Sequence, residues 1–141
     1  MSKFEDADNL GRKMVDREAP KLPNVDGTWW DEAKAVIDGA IYSARTWVPT
    51  EVKYRRGHSY KDHYGVTQIQ RRKYDAIMEE GGGFLWVFYE DSWWLFNLFT
   101  TKPCKCGEWT HKKYTVESSA TITDDFVGFC FEDAFYHRIK E

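Results

Sequence analysis

Residues 38–54 read DGAIYSARTWVPTEVKY, and the triplet near the end of this stretch, Glu51-Val52-Lys53, decides which fold the sequence predicts. Residues two apart on a strand point to the same face of a sheet, so Glu51 and Lys53 lie side by side if this part of the chain is a strand. A carboxylate beside an ammonium group, with a second carboxylate from a neighbouring strand, is the set of groups that metal-assisted phosphodiester hydrolysis needs. The second carboxylate in this stretch is Asp38.

Extended segments are predicted on both sides of the triplet. The Asp38-Gly39 dipeptide is a strong turn signal, so strands are expected over 28–37 and 40–48, with a third over 50–54. Pro49 is tolerable because it stands just before that third strand. These neighbouring strands are expected to pair in antiparallel fashion.

Two helices are predicted, one before and one after these strands. Apolar residues recur at helical spacing over about 5–19, and the prolines that follow end this helix. The pattern over 67–80 is stronger, with Thr67 as a cap, and Gly81-Gly82-Gly83 ends the second helix. Residues 57–65, between the strands and the second helix, are polar and aromatic and predict a mobile loop.

The C-terminal half predicts mainly strands. Residues 84–89 read FLWVFY, a nearly continuous apolar run that is typical of a buried central strand. A second run covers 93–99, and residues 113–123 are also predicted as strand. The pattern over 125–139 fits strand, helix or both.

The order helix, strands, helix, strand predicts a single α/β domain over 1–141, with a central mixed sheet flanked by helices. Its core is expected over about 10–99, followed by a β-rich C-terminal extension over 100–141. No apolar run approaches the roughly 18–20 residues of a membrane span, so no membrane partner is expected. The N-terminus lacks an apolar signal segment and the three cysteines cannot all pair, which predicts a reducing, cytoplasmic location.

Positive charge is concentrated around the triplet. The formal net charge is −3, but between Arg45 and Lys73 there are eight lysines and arginines against two acidic residues. A basic stripe of this kind is the electrostatic pattern of a protein that binds a phosphate backbone. The alternative interpretation is a solvated loop and helix face.

Asp38, Glu51 and Lys53, separated by the length of a short strand, resemble the signature of the PD-(D/E)xK nuclease superfamily. The resemblance implies a restriction-endonuclease-like core, in which the first acid lies where one central strand diverges and the acid-x-lysine lies on its antiparallel neighbour. Ile37 stands where that family has a proline.

Two further segments carry the resemblance. Gln70-Arg71-Arg72-Lys73-Tyr74 is similar to the QxxxY motif of RecB-like exonucleases, and residues four apart share a face of a helix. Residues 15–18, Val-Asp-Arg-Glu, are similar to the Val-Glu-Arg-Glu stretch of archaeal Holliday junction resolvases, whose first helix supplies another metal-directed acid. The alignment to that stretch favours Asp16 over Glu18 as that acid.

The resemblance implies a DNA nuclease that uses Mg²⁺ or Mn²⁺, bound by Asp16, Asp38, Glu51 and the main-chain carbonyl of Val52. Lys53 would orient the attacking water or stabilise the transition state, with Gln70 as a further catalytic residue. The residues expected to contact the substrate are Arg55, Arg56, Tyr60, Arg71, Lys73 and Tyr74. The substrate that the resemblance implies is branched or duplex DNA. The resolvase-like stretch favours a structure-selective endonuclease acting as a homodimer, and the QxxxY motif favours an exonuclease.

Three other interpretations stay open. The acidic net charge and the aromatic content also fit a module on the same fold that binds nucleic acid or protein without cutting it. The cysteines and histidines at 104, 106, 111, 130 and 137 invite a zinc site, although Cys104-Lys105-Cys106 is spaced more tightly than structural zinc sites usually are. In the loop, His58, Asp62 and His63 fit either a catalytic cluster or a substrate-contacting segment.

Overall fold

A computed structural model describes residues 3–31, 37–112 and 121–140 of the chain. Across these residues the fold is mixed α/β, with two α-helices and nine strands in two sheets. The helices are α1 (Lys3–Glu18) and α2 (Arg71–Glu79). The strands are β1 (Val25–Trp30), β2 (Gly39–Ser43), β3 (Thr46–Arg55), β4 (Val66–Gln70), β5 (Phe84–Tyr89), β6 (Ser92–Asn97), β7 (Lys105–Lys112), β8 (Thr121–Cys130) and β9 (Tyr136–Ile139).

The larger sheet has the strand order β1-β2-β3-β5-β6-β9, and the smaller one has the order β4-β8-β7. In the larger sheet β3 and β5 are parallel, and every other pairing is antiparallel. The parallel pair requires a crossover, which β4 and α2 provide between β3 and β5. The larger sheet is therefore mixed, as the sequence predicts.

Three layers enclose two apolar cores, one on each face of the larger sheet. On one face, Val15 of α1 and Ala19, which directly follows α1, pack against Val52 and Trp86. On the other face, α2 and the smaller sheet cover side chains of β5 and β6; the fully buried members of this second core include Ile69, Ile77, Leu85, Val87, Phe96, Val127 and Phe129. Because β5 is covered on both faces, it reads as a continuous apolar run in the sequence.

The predicted turn at Asp38-Gly39 is misplaced, because Gly39 already pairs with Trp30 as the first residue of β2. The predicted strand over 40–48 is divided by a turn at Ala44 and Arg45, which have φ angles of 50° and 68° and join β2 to β3. Two consecutive residues with positive φ make a tight hairpin turn, although neither residue is a usual turn former. Pro49 lies inside β3, where it is accommodated because β3 pairs with β5 only from Thr50 onward. Residues 32–36 of the predicted first strand lie outside the described residues.

The second helix starts later than predicted, because residues 66–70 form strand β4 and α2 begins at Arg71. Thr67 and Ile69 are buried while their neighbours are not, which is the two-residue period of a strand. The Thr67 hydroxyl lies 2.8 Å from the Tyr89 hydroxyl and does not cap a helix. Pairing with β8 has overridden the local helical pattern.

The predicted polar loop also contains regular structure. Tyr60–His63 form a 3₁₀ turn, with the Ser59 and Asp62 side chains capping each other's backbone groups. Asp91 holds the same turn from the β5–β6 connection, accepting from the Ser59 hydroxyl and from the Tyr60 amide. The segment is therefore tied to the larger sheet.

The C-terminal residues are rich in strand, as predicted, but they also complete the second core. Residues 113–120 of the predicted strand over 113–123 lie outside the described residues. Phe129 of β8 is fully buried, and its ring centroid lies 5.6 Å from that of Phe96 and 5.9 Å from that of Tyr74. The smaller sheet thus contributes side chains to the second core.

We expect Phe129→Ala to lower the free energy of unfolding by about 3–5 kcal/mol, because it removes a large ring from a closed core. Phe135 is 56% exposed and provides the matched control. Urea denaturation followed by far-ultraviolet circular dichroism measures both variants. Equal small losses for the two would mean that the smaller sheet does not share the core.

Candidate active site

Asp38 lies directly before β2, next to the point where Gly39 pairs with Thr50. Its Oδ2 accepts a hydrogen bond of 2.8 Å from the Val52 amide, and its Oδ1 accepts one of 3.1 Å from Arg12. The side chain therefore takes over a bond that a longer β2 would have supplied through its backbone. This position brings the Asp38 carboxylate beside Glu51, as the sequence predicts, and the two are called the acid pair below.

Glu51 is almost completely enclosed, with 1% of its side chain exposed. Its Oε1 lies 3.6 Å from Lys53 Nζ and 3.6 Å from Lys73 Nζ. Its Oε2 is buried and has no hydrogen-bond donor among the described residues. A buried carboxylate oxygen without a donor is costly, so this atom is suited to a proton or a cation.

The acid pair binds a proton unusually tightly. The pKa of Glu51 is raised to about 8, mainly by burial and next by the charge of Asp38. The ammonium groups of Lys53 and Lys73 act in the opposite direction, but burial outweighs them. A divalent cation between the two carboxylates would relieve the same repulsion as the shared proton, so the donor set fits such an ion.

Lys53 lies on the same face of β3 as Glu51, as the period of the strand requires. Burial lowers the pKa of its ammonium group; the positive charges of Lys73 and Arg55 act in the same direction, and Glu51 acts against them. About a quarter of the Lys53 side chain is exposed. It is therefore the group of the site that faces both the acid pair and solvent.

Two cations near the acid pair were not predicted in their observed roles. Lys73 was expected to bind phosphate, but it extends from α2 to Glu51. Arg12 was not singled out at all; it donates to Asp38 and, over 2.8 Å, to the Asp31 carbonyl. The sequence feature that could have identified Arg12 is its spacing. Arg12 lies four residues before Asp16, so the two side chains share a face of the helix.

The first helix therefore reaches the acid pair through a cation. Asp16 Oδ1 accepts hydrogen bonds from the Thr28 hydroxyl at 2.6 Å and from Trp30 Nε1 at 2.9 Å. The Arg12 guanidinium lies over the Trp30 ring, with its Cζ 5.8 Å from the ring centroid. The described contacts of Asp16 thus support the residues around Arg12 and include neither carboxylate of the acid pair.

Gln70 and Tyr74, the two residues of the QxxxY motif, lie around the start of α2, and their side chains have different surroundings. Gln70 is the residue before the helix, with extended backbone, and its Oε1 accepts from Arg72. The Tyr74 ring packs against Phe129 in the second core. The expectation that Gln70 and Tyr74 share a helix face is wrong, because the helix begins only after Gln70.

The predicted substrate-binding residues divide into interior and surface groups. Arg55 donates to the Gln68 carbonyl, and burial lowers its pKa. The Tyr60 ring packs 5.2 Å from that of Trp94. Arg56 is exposed and Arg71 is half-buried, so these two predicted phosphate contacts remain accessible to solvent.

The histidines and cysteines do not form a second centre among the residues whose side chains are described, and no group of three or more His, Cys, Asp or Glu there is placed to hold a metal ion. Cys104 and Cys130 are neighbouring free thiols, and a hydrogen bond between them raises the pKa of Cys130 to about 11. The His137 ring stacks on Trp94 at 4.8 Å. The side chains of Cys106 and His111 lie outside the described residues.

The loop histidines are near neighbours, with ring centroids 6.0 Å apart for His58 and His63. Burial lowers the pKa of His63, and the positive charge of Arg55 acts in the same direction. Asp62 accepts from the Ser59 amide as part of the cap, so its described contact is structural.

No protein-family model matches the chain, and comparisons with curated proteins and with solved structures also find no match. No helix among the described residues is long and apolar enough to cross a membrane.

Proposed function

We propose that this protein is a metal-dependent DNA nuclease with a restriction-endonuclease-like core. The observation that carries the proposal is the acid pair, in which a buried Glu51 oxygen without a donor lies beside the Asp38 carboxylate. The connectivity supports it: α1, the antiparallel strands β1-β2-β3, α2 and then β5 follow the order helix, strands, helix, strand that the sequence predicts. The sequence did not predict strand β4, which lies between β3 and α2.

The cation that fits this donor set is Mg²⁺ or Mn²⁺, held by the acid pair together with the main-chain carbonyl of Val52. When bound, such an ion supplies a water of lowered pKa and offsets the negative charge of the scissile phosphate. The described contacts of Asp16 assign it to Thr28 and Trp30, so the proposed ligand set no longer includes it.

Three basic residues have separate roles in the proposed site. Arg12 fixes the Asp38 carboxylate in its position beside Val52. Lys53 is partly exposed, so its ammonium group can donate to a phosphate oxygen as charge develops there. Lys73 balances the charge of Glu51 at the same oxygen that Lys53 approaches.

A second candidate function is a binding module on the same fold that does not cut nucleic acid. The observation that favours it is the closure of the site, because Arg12, Lys53 and Lys73 already surround two carboxylates and Glu51 is 1% exposed. In such a module, the five charges would serve only to hold α1, β3 and α2 together.

Incubation with branched, duplex and single-stranded DNA, in Mg²⁺, Mn²⁺ or EDTA, separates the two functions. The nuclease proposal predicts cleavage that EDTA abolishes and that Asp38→Asn greatly reduces. Retardation of DNA without cleavage in any metal would select the binding module. Closed circular DNA distinguishes an endonuclease from an exonuclease, because an exonuclease needs an end.

A further inference from the structure

The face of the larger sheet that carries Glu51 continues beyond α2 as an exposed aromatic surface. Along β3, Trp47 and Pro49 precede Glu51 at two-residue spacing and so point to the same face. Trp47 is 53% exposed, and Trp29 on β1 is 54% exposed. Exposed aromatic side chains that share one face of a sheet, unlike single ones, mark a binding surface.

The strand register orders this surface in rows that run across β1, β2 and β3. One row is Gly27, Tyr42 and Trp47; the next is Trp29, Ala40 and Pro49. We call these six residues the aromatic face. Within it, the rings of Tyr42 and Trp47 lie 5.1 Å apart.

The same register places the acid pair in the row that follows. Asp38 precedes Gly39, the partner of Thr50, so it stands opposite Glu51. The Asp31 amide donates to the Asp38 carbonyl over 2.8 Å, which extends this row to the chain after β1. At roughly 3.3 Å per residue, Trp29 and Trp47 lie about 7 Å and 13 Å along their strands from the acid row.

We propose that the aromatic face binds a single strand of nucleic acid, whose unpaired bases stack on Trp29 and Trp47 and whose backbone leads to the acid pair. The inference rests on the proposed function and names its substrate class. Aromatic rings stack on any base, but in a duplex the faces of the bases are already covered by their neighbours. Arg45, exposed in the β2–β3 turn, supplies positive charge beside the outer row.

The small residues on this face favour a flexible strand over a protein partner. Gly27 and Ala40 carry no large side chain, and the Trp47 ring, in contact with Tyr42, reaches over Gly27, where a Cβ would lie 4.0 Å from it. Stacking on Trp29 and Trp47 needs only planar groups at intervals along a chain, which successive unpaired bases provide.

The test is the affinity for a fluorescent 15-residue oligonucleotide, single-stranded or as a duplex, measured by anisotropy in EDTA so that nothing is cleaved. For the double variant Trp29→Ala/Trp47→Ala we expect single-strand affinity to fall about tenfold or more, while duplex affinity changes little. Binding of the single strand should also quench tryptophan fluorescence in the wild type and quench it less in the double variant. Phe135→Ala removes an equally exposed ring from another part of the chain and should bind both ligands like the wild type.

Unchanged single-strand affinity in the double variant would overturn the proposal, as would an equal loss for both ligands. A wild-type dimer that the double variant separates, without oligonucleotide binding, would overturn it too and make the face a self-association surface. Failure of the proposed function looks different. In that case the single strand binds through the aromatic face, but Mg²⁺ and Mn²⁺ produce no cleavage.

Discussion

Replacing Lys53 with alanine is expected to lower the rate of DNA cleavage about 10²–10³-fold and to leave DNA affinity close to that of the wild type. Lys53 is the partly exposed cation beside Glu51, so its charge is available to the phosphate when negative charge develops in the transition state. Affinity depends on many basic residues, and the loss of one among them changes it little. Single-turnover cleavage and anisotropy in EDTA measure the two quantities separately.

Lys102→Ala is the matched control, because Lys102 is exposed on the connection after β6 and outside the site. Thermal unfolding of both variants shows whether a loss of rate comes from a loss of structure. A folded Lys53→Ala protein that cuts at the wild-type rate would remove Lys53 from the mechanism.

The Glu51→Gln variant is expected to be more stable than the wild type at alkaline pH in the absence of metal. Burial raises the pKa of Glu51 from 4.5 to about 8, so folding favours its protonated form. The favourable contribution of this group is fully present below pH 4.5 and is lost as pH rises toward and through 8. The shift corresponds to at most about 5 kcal/mol, which glutamine avoids because it cannot ionise.

Urea denaturation in EDTA, between pH 5 and pH 9, measures this difference. The wild-type free energy of unfolding should fall relative to that of Glu51→Gln as the pH rises, and the two should converge near pH 5. Glu132→Gln changes an exposed glutamate and should follow the wild type at every pH. Curves for Glu51→Gln and the wild type that stay parallel would mean that Glu51 is ionised throughout this range.

Features set by local pattern could be predicted from the sequence. The apolar run of 84–89 is β5 to the residue, and Gly81 and Gly82, both with positive φ, follow the end of α2. The side-by-side placement of Glu51 and Lys53 also follows from strand periodicity, whereas that of Asp38 was implied by the family resemblance and depends on the register of β2 and β3. The misplaced turn did not change the prediction that Glu51 and Lys53 share one face of β3.

Features set by distant partners could not be predicted in the same way. Residues 66–70 have a helical pattern, but β8 pairs with them from sixty residues further along the chain. The directions of Arg12 and Lys73 depend on where α1 and α2 pack against β3, which neither helix encodes locally. Electrostatic partners that meet across layers are the part of the site that needs the three-dimensional structure.

If Asp38 and Glu51 hold a divalent cation, Mn²⁺ titration followed by electron paramagnetic resonance should detect it. Free Mn²⁺ gives a strong signal that weakens on binding, so the occupied sites can be counted without DNA or turnover. We expect saturable binding to the wild type and loss of that binding in Asp38→Asn, with Glu132→Gln unchanged. A wild-type protein that leaves the Mn²⁺ signal untouched, or an Asp38→Asn variant that binds as well as the wild type, would contradict it.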